Sequence, residues 1–244
     1  MLGSEHLNHD MKMKLQIGSL LAVTCALQTV SAGDITGKIT LNGTPPAEKE
    51  FKMDPTCGKL QPAGSKTTTH FYVVGAGNGL GDTVVYLKGI SGKSSGASAK
   101  PLMVDQKGCI YEPYVASVQT GQTISVSNSD PVLHNIHPTP KPGTGNKEAN
   151  KAQLPKGPPL QFEFPDAEMF LRFKCDVHPW MFAYISVFDH PYHATTDGDG
   201  NFTISDVPAG KYTLVVEHRK AGTVEKEIEV KADGAKVGLS LDAK

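Results

Sequence analysis

The stretch 174–181, KCDVHPWM, places a cysteine, a histidine and a methionine at positions 175, 178 and 181. A thiolate, an imidazole and a thioether are soft to borderline metal ligands. Cys175 and Met181 could equally fill a core, because both residue types are often buried. A cysteine-protease pair of Cys175 and His178 would lack an orienting third residue and would leave Met181 unexplained. The stretch is therefore a candidate metal-binding loop.

Alternating apolar residues on both sides of this loop predict two strands that position it. One face of the first strand carries Leu171, Phe173 and Cys175, and one face of the second carries Met181, Ala183, Ile185 and Val187. Successive side chains of a strand point to opposite faces. Cys175 and Met181 should therefore lie at the inner ends of neighbouring strands, with His178 in the turn between them.

A fourth ligand is predicted in TISVSNSDPVLHNIH, where a strand and an NSDP turn precede His134 and Asn135. His137 is a rival for this role. Two imidazoles, one thiolate and one axial thioether favour a copper ion in electron transfer. Zinc would favour a further cysteine, histidine or carboxylate over methionine. A c-type haem would need a second cysteine before the histidine.

The N-terminal sequence predicts export. Residues 11–14, MKMK, are followed by an apolar run and a small-residue cleavage site ending at Ala32, which is typical of a signal peptide over residues 1–32. Translation could instead start at Met11. The run is too short to favour a membrane span, and Thr24 before Cys25 is a poor match to lipoprotein processing. We expect a periplasmic or secreted mature protein without a membrane span.

Export gives the remaining cysteines a redox context in which thiols tend to pair. Removal of the signal peptide leaves Cys57, Cys109 and Cys175, an odd number. Cys57 and Cys109 lie in turn-like contexts, so we predict that they form a disulfide. Cys175 is then left free, as a metal ligand must be.

The mature sequence predicts an all-β fold. Short alternating runs such as DITGKITL, THFYVVG, DTVVYLKG and KYTLVVEH are separated by turn clusters, and GAGNGLGD and DGDGN (197–201) are interpreted as turns rather than as phosphate-binding and calcium loops. The composition of residues 138–160 predicts a long loop rich in proline, glycine and lysine. This loop is either a solvated loop or a docking site for an acidic partner. The net charge of −1 argues against nucleic acid as the main partner.

Residues 103 to 188 resemble a cupredoxin of the plastocyanin and amicyanin type. The resemblance rests on GCIYEPYVASVQTGQTISVSNSDPVLHNIH and on the ligand loop C-x-x-H-P-x-M within KCDVHPWM. It implies a Greek-key β-sandwich and one copper ion, cycling between Cu(I) and Cu(II). The implied ligands and the asparagine that ties the two ligand loops together are His134, Cys175, His178, Met181 and Asn135.

The flanking sequence resembles a carboxypeptidase-regulatory-like (transthyretin-like) sandwich, through DITGKITLNGTPP and TTDGDGNFTISDVPAGKYTLVVEH. We expect the cupredoxin domain, residues 99–188, to be inserted between the two parts of this sandwich, residues 33–98 and 189–244. The alternative is a cupredoxin region followed by an independent small domain.

The expected function is one-electron transfer to a redox partner, a cytochrome or an oxidoreductase. We predict that the His178 ring edge lies near the surface beside Pro179 and Trp180, which would form the electron-transfer surface. A copper carrier or storage protein is an alternative, although Met-rich and His-rich repeats are absent. A multicopper enzyme would need further copper sites, for which His137, His190 and His193 are candidates. The sequence leaves the partner, the oligomeric state and a second metal open.

Overall fold

The computed structural model describes residues 31–244, so the predicted signal peptide lies almost entirely outside the described part. This part is nearly all β, as predicted, with strands arranged in four sheets and one short helix, α1 (Pro55–Gly58). Single 3-10 turns occur at Ala76–Asn78 and Gly96–Ser98. Within residues 31–244, no helix has the length and apolar character needed to cross a membrane.

Two of the sheets form what we call the central sandwich. One sheet has the strand order β5-β11-β10-β7-β8 and the other β4-β3-β6-β9. The strands are β3 (Leu102–Gln106), β4 (Tyr111–Glu112), β5 (Val115–Gln119), β6 (Ile124–Asn128), β7 (His134–Thr139), β8 (Lys151–Gln153), β9 (Leu160–Phe162), β10 (Glu168–Lys174) and β11 (Phe182–Phe188). Their buried side chains form one core that runs from Val104 to Val187 in sequence.

The other two sheets form the outer sandwich, with strand orders β13-β1-β16 and β12-β2-β14-β15. The strands are β1 (Ala32–Asn42), β2 (Val84–Leu87), β12 (His193–Thr195), β13 (Asn201–Pro208), β14 (Gly210–His218), β15 (Gly222–Val230) and β16 (Ala235–Asp242). β1 pairs antiparallel with β13 and parallel with β16. The outer core therefore combines residues from before and after the central sandwich, as the predicted insertion requires. The exact domain boundaries stay a prediction.

The two sandwiches meet through a small apolar cluster and one cation. Val84, Val115 and Phe188 form the cluster. Arg219 of the outer sandwich lies over the ring of Tyr184, with Cζ 3.1 Å from the centroid, and donates a hydrogen bond of 2.7 Å to the Tyr114 hydroxyl. Arginine stacked on aromatic rings is a favourable contact, so this residue joins the outer sandwich to the central one.

The predicted strand parity around the candidate loop is confirmed. Every residue assigned to the inner faces is at most 2% exposed: Leu171, Phe173, Cys175, Met181, Ala183, Ile185 and Val187. β10 and β11 pair antiparallel, with Phe173 opposite Ala183. Alternation with a period of two was sufficient to orient these side chains because the strand has one buried face.

The prediction of a strand at THFYVVG, residues 69–75, is wrong. This segment makes a single isolated bridge, between Val74 and Leu80. The Glu48 carboxylate accepts the backbone N–H groups of Phe71 (2.9 Å) and Tyr72 (2.8 Å). Because those donors are already used, they cannot pair with a neighbouring strand. The segment instead forms a wall beside the central sandwich.

The prediction of a long loop at residues 138–160 is also corrected. The region contains the strand β8, which pairs antiparallel with β7. Asn146 is 8% exposed and donates hydrogen bonds to the Glu168 carboxylate (3.0 Å) and the Asp166 carbonyl (3.1 Å). The hydrogen bonds of the buried Asn146 amide hold this irregular segment in place. Bonds of this kind require no periodic pattern in the sequence.

GAGNGLGD forms a turn, as predicted, and its glycines allow a close approach of two chain segments. A Cβ atom on Gly79 would lie 1.8 Å from the carbonyl oxygen of Asp199, which belongs to the 197–201 turn. The Asp199 carboxylate accepts the Ala76 backbone N–H at 2.8 Å. The turns before and after the central sandwich therefore pack directly against each other.

We predict that Gly79→Ala lowers the free energy of unfolding by about 1–3 kcal/mol, because the new methyl group overlaps a backbone oxygen. Gly238→Ala is the control, since a Cβ atom there meets nothing within 4 Å, and it should change stability by less than about 0.5 kcal/mol. Urea denaturation measures both. Equal stability of the two variants would contradict the close packing of these turns.

Candidate metal centre

Three potential ligand atoms converge at one end of the central sandwich. The His134 Nδ1 and His178 Nδ1 atoms lie 3.0 Å apart, and the Cys175 Sγ atom lies 3.6 Å from His178 Nδ1. One ligand atom from each residue lies within 4.8 Å of the others. The residues are buried, with exposed fractions of 0%, 2% and 6% for His134, Cys175 and His178. Three of the four predicted ligands are therefore brought together.

The β10–β11 connection holds the ligand loop closed. The Cys175 N–H donates to the Met181 carbonyl at 3.1 Å, and the Met181 N–H donates to the His178 carbonyl at 3.0 Å. Met181, the fourth predicted ligand, is fully buried in the same core as Cys175. His134 arrives on β7, which pairs with β10. Backbone hydrogen bonds thus set the positions of all four residues.

Asn135 connects the two ligand loops, as predicted. Its side-chain oxygen accepts the Asp176 backbone N–H at 2.7 Å and the Cys175 thiol at 3.2 Å. Its amide donates to the Asn150 side chain at 2.6 Å. These bonds fix the loop that carries Cys175 relative to the strand that carries His134.

Asp130 is part of the site, and the sequence analysis missed it. Its Oδ2 atom lies 2.9 Å from His134 Nε2 and accepts the Cys109 backbone N–H at 2.7 Å, while Oδ1 accepts the Gly108 N–H at 2.6 Å. A carboxylate bound to Nε2 holds the proton there and leaves the Nδ1 lone pair free for a metal. The sequence signal for Asp130 was its position four residues before His134. This position lies in a turn, where aspartate is common for structural reasons alone.

The electrostatics of the site prepare it for a cation. Burial lowers the pKa of His134, but the hydrogen bonds and charges of Cys175 and Asp130 outweigh burial and raise it. Burial raises the pKa of the Cys175 thiol, whereas the His134 hydrogen bond and nearby backbone amides lower it further than burial raises it. Burial and the nearby His134 lower the pKa of His178. The more acidic Cys175 thiol and the less basic His178 imidazole favour metal coordination, whereas the more basic His134 must release a proton to bind a metal.

The predicted disulfide is present. Cys57 and Cys109 are bonded, with Cα atoms 5.8 Å apart, and Cys175 is the free cysteine among the described residues. The disulfide lies beside the candidate centre, because the sulfur atoms of Cys57 and Cys109 are within 4.8 Å of a His178 ring nitrogen. It ties residues 51–61, which we call the cover segment, to the central sandwich.

The prediction that the His178 ring edge reaches the surface is wrong, because the cover segment lies over it. The Asp54 carboxylate is 3.7 Å from His178 Nε2, and Phe51 stacks on Trp180 with ring centroids 6.1 Å apart. The expectation came from the position of His178 at the tip of the loop between β10 and β11. A disulfide to a distant turn places it here, and no local sequence pattern reports that contact.

Pro179 and Trp180 lie where the cover segment meets the loop. Pro179 is exposed and Trp180 is half-buried. The Trp180 indole N–H donates to the Cys109 carbonyl at 3.1 Å, and its ring centroid is 5.4 Å from that of His178. Trp180 is therefore packed against the centre and remains partly accessible from the other side. Its role in electron transfer stays a prediction.

The other candidate histidines lie apart from this centre. His137 contacts the carboxylates of Asp176 (2.7 Å) and Glu148 (2.5 Å). His190 and His193 lie between the sandwiches, with ring centroids 6.4 Å apart, and burial lowers the pKa of His193 to about 3. In residues 31–244, each group of potential metal-ligating atoms within 4.8 Å contains His134 or His178.

Comparison with known proteins gives one family match. The model of the carboxypeptidase regulatory-like domain matches residues 178–242. This confirms the resemblance predicted for the closing part of the outer sandwich, and the match begins earlier than the predicted boundary, inside the ligand loop. No curated protein matches the chain.

Solved structures similar to the chain include copper proteins. A Cu-containing nitrite reductase from Thermus scotoductus SA-01 is 16% identical, covers 57% of this chain and has a TM-score of 0.33, with 27% of its own length spanned by the match. A purple cupredoxin from Nitrosopumilus maritimus is 20% identical over 35% of this chain and 98% of its own, with a TM-score of 0.30. An oxidised amicyanin variant is 20% identical over 42% and 97%, with a TM-score of 0.32. The interpretation of the site depends on its own geometry.

We predict that replacing Cys57 and Cys109 together by serine lowers the free energy of unfolding by roughly 4 kcal/mol, because the unfolded chain loses a loop constraint. It should also expose His178 to imidazole-modifying reagents, since the cover segment is no longer tied down. Urea denaturation and peptide mapping of the modified protein measure the two effects.

A reductant provides the control for this double variant. It should destabilise the parent chain and leave the variant unchanged. If His178 stays as protected in the variant as in the parent, the disulfide does not hold the cover segment in place.

Proposed function

We propose that this chain is an exported type 1 copper protein that carries single electrons between redox partners. The observation that carries the proposal is the convergence of His134 Nδ1, His178 Nδ1 and the free thiol of Cys175 in a buried site. A His₂Cys set with a weak thioether ligand is the donor set of blue-copper electron-transfer sites. Met181, in the same core, would supply this thioether.

The donor set argues for copper over other metals. Structural zinc sites take four ligands from cysteine, histidine and carboxylate. Asp130 could supply such a carboxylate, but its oxygens already bind His134 Nε2 and two backbone N–H groups. Met181, buried in the same core as Cys175, would therefore be the fourth ligand.

Copper, when bound, would cycle between Cu(I) and Cu(II) and so carry one electron. The residues of the chain orient the ligands and exclude water. Asp130 fixes the tautomer and orientation of His134. Asn135 fixes the Cys175 loop, so that the ligands need little rearrangement. The core and the cover segment exclude water from His178, which lowers the local dielectric and contributes to the potential.

Burial of the donors also bears on the alternative of a copper carrier or storage protein. A carrier exchanges its ion with a partner, which requires access to the ligands. His134, Cys175 and His178 are at most 6% exposed, so exchange would require the cover segment or the ligand loop to open. The arrangement therefore favours a resident ion over a transported one.

Export is part of the proposal and has two supports. The signal-peptide pattern lies in the first 32 residues of the sequence. The Cys57–Cys109 disulfide is typical of an oxidising compartment, periplasmic or extracellular. The proposed partner is a redox protein, either a cytochrome or an oxidoreductase, which would approach the exposed Pro179 and the partly exposed Trp180.

We predict that one equivalent of Cu(II) added to the mature chain produces an intense visible band, because charge transfers from the Cys175 thiolate to the metal. The band should bleach reversibly on reduction. Cys175→Ala should abolish it, while the control His137→Ala should keep it, since the His137 nitrogens contact Asp176 and Glu148 instead. Visible absorption and electron spin resonance measure the effect.

Three outcomes would change this conclusion. An unchanged band in Cys175→Ala would exclude the proposed centre. More than one copper per chain would favour the multicopper-enzyme alternative. Rapid loss of Cu(I) to a small chelator, within seconds, would favour the carrier.

We predict that Asp130→Asn weakens copper affinity by about 10–100-fold, because His134 loses the carboxylate that orients its ring. Competition against a chelator of known affinity measures the change. Asp54→Asn is the matched control. The Asp54 carboxylate lies on the solvent side of His178 at 3.7 Å, and asparagine preserves its role as the helix N-cap. Equal affinities of the two variants would contradict the role of Asp130.

A further inference from the structure

A cavity of about 670 Å³ lies beside Trp180, which forms part of its lining. This volume falls within the range of small-molecule sites, about 300–1,000 Å³. We call it the aromatic pocket. Six of its lining side chains are partly exposed aromatic residues: Phe51, Phe71, Tyr114, Trp180, Phe182 and Tyr184. Half-exposed rings gathered in one concavity are unusual on a protein surface and mark binding sites.

The walls of the aromatic pocket are held in place before any ligand binds. Phe51 belongs to the cover segment, which the Cys57–Cys109 disulfide fixes. Phe71 is fixed because its backbone N–H binds the Glu48 carboxylate. Phe182 and Tyr184 project from β11 of the central sandwich. A preformed site loses less conformational entropy on binding than one that must assemble.

Two cations beside the pocket and Lys52 in its lining bear on its preference for charge. Lys220 Nζ lies 4.0 Å from the centroid of Phe71, and Arg219 Cζ lies 3.1 Å from that of Tyr184. Neither cation lines the pocket. A cation over one face of a ring is attracted to the negative quadrupole of that ring. These two rings therefore attract a further cation less strongly, and Lys52 in the lining offsets the charge of Glu112. The pocket thus suits an uncharged, electron-rich aromatic ligand better than a cationic one.

The polar groups of the pocket suit a hydroxyl. Glu112 and His70 line it and are exposed, so both can accept a hydrogen bond from a ligand. The Tyr114 hydroxyl already receives a hydrogen bond from Arg219. A carboxylate beside aromatic walls is the combination that recognises a phenolic O–H.

We propose that the aromatic pocket binds a planar, uncharged phenol or hydroquinone, with its ring against the aromatic walls and a hydroxyl on Glu112. The site is separate from the candidate metal centre and does not rest on the proposed function. Trp180 links the two sites, because it lines the pocket and its ring centroid is 5.4 Å from that of His178. A bound ring would therefore be one side chain away from a proposed copper ligand.

Binding can be tested without any metal. The probe is 1,4-dihydroxynaphthalene, added anaerobically to the metal-free, disulfide-intact chain and followed by isothermal calorimetry. We expect one site with a dissociation constant on the order of 10–100 µM. Trp180 is the only tryptophan of the chain, so a change in its emission lifetime with the same midpoint places the probe in the pocket. A naphthylmethylammonium salt of similar size should not bind.

Two variants locate the site. Phe71→Ala should weaken binding roughly fivefold to tenfold, because one aromatic wall is lost. Glu112→Gln should remove the preference for dihydroxynaphthalene over naphthalene. Met103→Ala is the control, since Met103 is 57% exposed and lies outside the pocket. All three positions are at least partly exposed, and unchanged melting temperatures establish that the variants fold.

The proposal is overturned if the probe produces no saturable heat at millimolar concentration, or if Phe71→Ala binds as tightly as the parent. It is also overturned if the cationic probe binds equally well. Sedimentation at the same protein concentration tests whether a second copy of the chain occupies the pocket. If the chain dimerises and Phe71→Ala abolishes the dimer, the pocket is an interface between two copies rather than a ligand site.

Discussion

The buried carboxylate of Asp130 is the interaction on which the functional end of the molecule depends. It receives the His134 ring and the backbone N–H groups of Gly108 and Cys109. A buried carboxylate is costly unless its oxygens are fully hydrogen-bonded, so these three donors must stay together. One side chain therefore fixes a proposed copper ligand and the turn that carries half of the disulfide.

The second constraint is the way the central sandwich is inserted into the outer one. β2 and β12 flank the insertion and pair with each other, with His193 opposite Tyr86. The entry and exit of the central sandwich are therefore neighbours, and it can form its own core without disturbing the outer sheets. The outer sandwich, by contrast, needs β1 to pair with β16 at the far end of the chain. Its completion depends on contacts that are distant in sequence, which are costly to form early in folding.

Local patterns predicted the central strands and most of the site, whereas long-range contacts of irregular segments were not predictable. Alternation oriented Cys175 and Met181 correctly because each strand has one buried face. The odd number of cysteines indicated one unpaired thiol, and the turn-like contexts of Cys57 and Cys109 indicated the disulfide. Asp130 was missed because an aspartate before a proline is also an ordinary turn residue. The cover segment and the bend at Phe71 depend on Cys57 and Glu48, whose partners lie far away and leave no periodic signal.

The cover segment has two opposing consequences for the proposed function. It excludes water from His178, which stabilises the ligand arrangement and slows exchange of a bound ion. It also prevents a partner from touching the His178 ring, so an electron must leave through a neighbouring side chain. Trp180 is the aromatic neighbour of His178 that remains accessible, and its accessible side lines the aromatic pocket. The proposed electron path and the proposed ligand site therefore meet at one residue. The Cys57–Cys109 disulfide holds the cover segment over His178 and so blocks the direct route through its imidazole. The same disulfide positions Phe51, which stacks on Trp180 along the proposed alternative electron path.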